Sequence, residues 1–186
     1  MKKITFVLLA FLLFLTLVSC TQTTPPEVID NNTEQTENVV KNPTCEEIVL
    51  SVADALSLVA SDFDYYNFTE EDKKLDDMVI SYFYGDMESM EDPDFSNAVD
   101  YYIMVPVTTV ATEVGVFKLD DPSAAEKMIG YFSNRAYARE TTFAPYNEAE
   151  SLKAKNALTG SYGNYVWYIM TDNNLEAEAK VLEAIK

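Results

Sequence analysis

The amino-acid sequence predicts an α+β domain: a small, mostly antiparallel sheet of three to four strands packed against several helices, preceded by a signal helix and a disordered tether. Three observations carry this. Residues 99–107 and 110–119 are dense in β-branched and aromatic side chains, with Pro106 and two threonines at their junction, as in a strand pair joined by a short turn. Several other segments repeat apolar residues at three- and four-residue spacing, the period of an amphipathic helix. An apolar N-terminal run is followed by a polar stretch with no aromatic residue.

Taken in order, residues 1–19 form a lipoprotein signal peptide. Two lysines precede the 15 residues 4–18, among which only Thr5 and Thr16 are polar. That run is short of the ~20 residues a membrane-spanning helix needs, and its layout is that of a secretory signal. Leu17-Val18-Ser19-Cys20 resembles the lipobox of bacterial lipoproteins, which implies a diacylglycerol on the Cys20 thiol and cleavage before Cys20. Residues 20–43 are then the acylated cysteine and a flexible tether. They are rich in Thr, Asn, Glu and Pro and bury too little to order themselves.

A single α+β domain is expected over 44–186. Thr44 and Glu47 form a capping box that opens a first helix running to about residue 60, with Cys45 on its apolar side as a buried thiol. Residues 61–100 are strongly acidic, and Thr69 is expected to cap a second, short helix there. Pro106 cannot donate to a ladder and belongs at a strand end or sheet edge. Asp121-Pro122 opens a long helix, in which Ala125, Met128, Ile129, Phe132 and Ala136 face the sheet. Residues 147–155 make a short helix or turn. Residues 162–171 are apolar on both alternate sets, as in a strand covered on both faces. Asn173 or Asn174 caps a last helix.

Composition excludes several functions. The chain has 13 basic and 31 acidic residues, a net charge of −18, and no histidine. A chain starting at Cys20 lacks Lys2 and Lys3 and carries −20. Such a protein is repelled by nucleic acid and by anionic headgroups, so its contact with the membrane is expected through the lipid on Cys20 alone. Without histidine, Ser-His and Cys-His nucleophile pairs and histidine-bearing zinc sites are ruled out. The acidic groups Asp62/Asp64, Glu70–Asp72 and Glu91–Asp94 lack the ligand spacing of a calcium loop and read as solvated surface. No metal and no cofactor is expected.

Glu113-Val-Gly-Val-Phe-Lys118, the pair Arg135 and Arg139, Tyr146, Asn156-Ala157 and Gly163-Asn-Tyr-Val-Trp-Tyr-Ile-Met170 with Asp172, together with Tyr84-Gly85-Asp86, resemble the Gram-positive bacterial lipoproteins grouped as domain of unknown function 4358. The resemblance implies the lipid anchor and the fold unit. It implies no activity.

The sharpest polar constellation is Glu113 with Arg135 and Arg139, the only two arginines. Glu113 alternates with Gly115, Phe117 and Leu119, so it shares a face with large apolar groups, where an unpaired carboxylate is costly. One expectation is a structural bridge to either arginine. The other is an anion-binding cleft in which an arginine holds a carboxylate or phosphate. The sequence thus predicts a non-enzymatic, lipid-anchored binding or interaction module on the outer face of the bacterial cytoplasmic membrane, of unspecified ligand. The alternatives are an envelope enzyme acting through carboxylates and a purely structural envelope lipoprotein.

Overall fold

The computed structural model describes residues 41–86 and 92–186. The expected signal peptide, Cys20 and the expected tether up to residue 40 lie outside the described residues. Five strands form one antiparallel sheet in the order β1-β2-β3-β5-β4. They are β1 (Phe63–Asn67), β2 (Ala98–Pro106), β3 (Glu113–Leu119), β4 (Leu158–Tyr162) and β5 (Tyr165–Met170). Among the described residues five α-helices cover it: α1 (Cys45–Ala55), α2 (Asp77–Tyr84), α3 (Ala125–Phe143), α4 (Glu148–Lys155) and α5 (Asn174–Ile185). The α+β class is as predicted, with five strands in place of three to four.

Side chains alternate across the sheet. Tyr102, Met104, Val114, Val116, Tyr165, Trp167 and Ile169 meet α1 and α5 on one face. Tyr101, Ile103, Phe117, Val166, Tyr168 and Met170 meet α2, α3 and α4 on the other. β5 is therefore buried at every position, which explains why it reads as apolar on both sets. Among the described residues, no helix is long and apolar enough to cross a membrane.

The local signals explain most boundaries. The Thr44–Glu47 capping box is present, and the Asp100 carboxylate accepts from the Cys45 amide at 2.8 Å. Burial, with the neighbouring Asp100 charge, pushes the Cys45 thiol well above its ordinary pKa, so it is protonated and inert. Helix α1 ends at Ala55, earlier than expected. There Ser57 takes φ 53°, Leu58 N–H donates to the Ala53 carbonyl and Ser57 N–H to that of Asp54. This is a Schellman ending in which serine occupies the position usually held by glycine.

The second helix also differs from expectation. Residues 71–73 make only a 3-10 turn with no side-chain cap, and the true helix α2 starts after Asp76, which accepts from Val79 N–H at 2.7 Å. The chain is also ordered just before α1, since Tyr165 donates to the Pro43 carbonyl at 2.7 Å and Lys118 to Asn42 at 2.5 Å.

The strand predicted over 162–171 is β5, from Tyr165 to Met170, and the residues just before it are the turn of a hairpin with β4. β4 and β5 pair from Tyr162↔Tyr165 onward, and Gly163 at φ 59° supplies the positive φ that the first position of a two-residue II′ turn requires. Residues 107–112 form a loop instead of the start of β3. Three consecutive residues of that loop are tied to α3 and α4: Arg139 donates to the Val110 carbonyl, Ala111 N–H to Glu150 at 2.6 Å, and Lys153 to Thr112 at 3.0 Å.

Candidate functional site: a two-arginine cleft between α2 and α3

β3 places Glu113 at its first position, on the face covered by α3, opposite Met170 of β5. Two residues on, Gly115 pairs with Tyr168. A side chain at Gly115 is impossible without displacing that ring, because its Cβ would stand 2.3 Å from Tyr168 Cε1. The bare glycine lets the Tyr168 ring lie along β3. Its hydroxyl then reaches Glu113 Oε1 at 2.5 Å, and the Tyr84 hydroxyl from α2 lies 3.1 Å from that of Tyr168.

From α3, Arg135 closes the cluster. It continues the buried stripe of Met128 and Phe132 and grips Glu113 with a two-point fork, Nε to Oε1 at 3.0 Å and Nη2 to Oε2 at 2.7 Å. Its guanidinium also lies 3.9 Å from the centroid of the Phe83 ring. Glu113 is fully buried and Arg135 is 7 % exposed. Burial works against the Arg135 charge, but the Glu113 carboxylate outweighs it, and the pKa is raised above its ordinary value. Burial, followed by the Glu113 charge, also raises the Tyr168 hydroxyl far above the usual phenol range. The bridge expected from the sequence therefore exists, and its arginine is Arg135.

Arg139, one helical turn further along α3, is placed differently. Its Nη2 donates to the Val110 carbonyl, its guanidinium lies 4.9 Å from the Phe143 ring centroid, and no salt bridge holds it among the described residues. Its Nε–H is buried without an acceptor. Burial lowers the Arg139 pKa, with Arg135 repelling the added charge and Glu113 partly offsetting both; a guanidinium nonetheless stays charged at neutral pH. The Glu113 charge is spent on Arg135, so the trio carries one surplus positive charge.

That surplus faces a cleft of about 500 Å³. Arg135 and Arg139 line it from α3, and Ser81, Asp86 and Asp92 line it from the end of α2 and the chain beyond. The sequence reads Asp92 as solvated acidic surface, names Asp86 only within the resemblance, and gives Tyr84 and Tyr168 no separate role. Some of the other acidic groups form surface pairs, such as Asp64 with Lys73 at 2.7 Å, and no cluster of three or more Cys, Asp or Glu among the described residues is arranged to hold a metal ion.

Comparison of the chain with protein-family models, with curated proteins and with solved structures returns no match.

Proposed function

We propose that the protein is a lipid-anchored, non-catalytic binding module on the outer face of a bacterial cytoplasmic membrane, and that the cleft between α2 and α3 takes a small ligand bearing an oxyanion. The observation that carries the proposal is Arg139. It is a half-buried guanidinium lining the cleft wall, with no ion pair among the described residues and with only its Nη2 accepted, by the Val110 carbonyl. A carboxylate or phosphate is the acceptor that suits the remaining guanidinium donors. Arg135 is unsuited to that task, because its fork is filled by Glu113.

Two further points support the rest. The lipobox at 17–20 and the polar stretch behind it support anchoring through Cys20. Membership in the lipoprotein family that the chain resembles is part of the same proposal. It is supported by the way the quoted motif residues Glu113, Arg135 and Tyr168 converge on one buried cluster. The non-catalytic character is supported by Glu113, whose two oxygens accept three hydrogen bonds inside the core and leave it no access to a substrate.

The test is thermal stabilisation by oxyanion-bearing probes. A ligand bound only by the folded state at about ten times its dissociation constant adds ~1.4 kcal/mol, or ~3–6 °C for a domain of this size. At least one of phosphate, acetate, glycine or a longer amino acid is expected to give such a rise, and Arg139→Met is expected to remove it. A rise that survives Arg139→Met, or no rise from any probe, would refute the assignment.

A further inference from the structure

The two walls of the cleft carry opposite charge. One wall presents Arg139, with the neutralised Arg135–Glu113 pair behind it. The facing wall is the C-terminal end of α2, which has no basic residue in its last turn and is followed by Asp86 and Asp92, both at the cleft. The end of a helix is the negative pole of its dipole, and the Asp92 carboxylate, which accepts one hydrogen bond from Ser81 Oγ at 2.9 Å, adds to it. The protein as a whole carries −18, which lowers the local concentration of any free anion. A plain anion would meet a repulsive field on approach and a repulsive wall on arrival. A molecule with no net charge and two opposite poles meets neither.

We propose that the ligand is a small zwitterion, with a carboxylate held by Arg139 and an ammonium group facing Asp92 and the end of α2. This rests on the reading of the cleft as an oxyanion site and adds the second pole. Specificity then comes from the distance between the poles. An anion of the right shape but lacking the amine sets its charge beside the Asp92 carboxylate with no ammonium between them, which disfavours its binding.

The experiment uses the full chain in detergent and two matched probe series. Glycine, γ-aminobutyrate and ε-aminocaproate carry both poles at increasing separation; acetate, butyrate and caproate carry the carboxylate alone. At equal concentration and ionic strength, at least one amino acid is expected to raise the melting temperature by ~3–6 °C while the acid of the same length raises it far less. Asp92→Asn, an exposed change that leaves the fold intact, is expected to weaken that amino acid about two- to fivefold and to leave the weak binding of the plain acid unchanged or slightly tighter. Arg139→Met is expected to abolish both. Plain acids that stabilise as well as their amino counterparts, or Asp92→Asn without effect on the amino acid, overturn the zwitterion and leave the oxyanion site standing. No stabilisation by any probe, or stabilisation unaffected by Arg139→Met, overturns both.

Discussion

Glu113→Gln probes whether the buried bridge holds the domain together. The structure gives the size of the effect. Three donors converge on the two carboxylate oxygens: Arg135 Nε and the Tyr168 hydroxyl on Oε1, and Arg135 Nη2 on Oε2. Glutamine retains one acceptor. If its carbonyl takes the Oε1 place, the Nε and hydroxyl bonds survive, and the amide nitrogen meets Nη2, donor against donor. The opposite orientation strands two donors and is worse. In either case the Arg135 charge is left buried without its counter-charge, a loss of ~3–5 kcal/mol. That is a large fraction of the ~5–15 kcal/mol stability of a typical domain. For a unit of this size it corresponds to a fall of ~6–20 °C in melting temperature. The assay is thermal unfolding followed by circular dichroism, on Glu113→Gln, Arg135→Met and the double variant. The double variant is expected to regain part of the loss, because methionine removes the orphaned charge. A cost below ~1 kcal/mol for Glu113→Gln, which is what an exposed pair gives, or a double variant with strictly additive losses, would refute the account of a buried, mutually dependent pair.

Three more outcomes follow. Gly115→Ala is expected to cost about 1–3 kcal/mol by overpacking against Tyr168, and to cost distinctly less in a Tyr168→Ala background; equal costs in both would place the clash elsewhere. Burial, helped by nearby acidic groups, raises Tyr102 and Tyr165 to about 12. With an unfolded value near 10, their neutral forms favour the fold, so their contribution is complete below pH ~10 and is lost as pH rises through about 12. Ultraviolet titration should accordingly show a late-ionising group of tyrosines, and a single midpoint near 10 for all of them would contradict this. Finally, Cys20→Ser is expected to shift the protein from the membrane fraction to the soluble fraction, and unchanged membrane association would remove the lipid anchor from the proposed function.

The helices with polar caps were legible because a cap is a short-range signal. Thr44 with Glu47, Asp121 before Pro122, and Asn147 and Asn173 all sit at or beside the ends they mark. The edge strands were not legible. β1 has an acidic residue amid its aromatics, and β4, with the sequence Leu-Thr-Gly-Ser-Tyr, has no buried residue to give it a period. α2 carries β-branched and aromatic residues that suit a strand equally well. Tertiary packing of Tyr84 against the sheet selects the helix. At the site, the alternation of β3 and the period of α3 were enough to bring Glu113 and the arginines to one interface. The choice between Arg135 and Arg139 was not in the pattern, since both share the stripe and differ only in where β3 begins beneath them. The acidic wall of the cleft was equally out of reach, because nothing local says which of many carboxylates will face an arginine.

The close approach of Tyr168 to Gly115 also bears on how the chain avoids wrong structures while it folds. β3 and β5 are apolar along nearly their whole length, and a ladder of that kind has little to tell one alignment from the next. Sliding β5 by one residue turns every side chain of one strand to the opposite face relative to its neighbour, which would carry Tyr168 away from its glycine and separate its hydroxyl from Glu113. Sliding it by two keeps the faces but sets the Tyr168 ring against Phe117 or Glu113, where a side chain already occupies the space the ring needs. Either slip takes the Tyr168 hydroxyl from Glu113 Oε1 and leaves that buried carboxylate one donor short. The glycine, the ring and the carboxylate thus act as a three-part key, and they favour the one alignment that turns it.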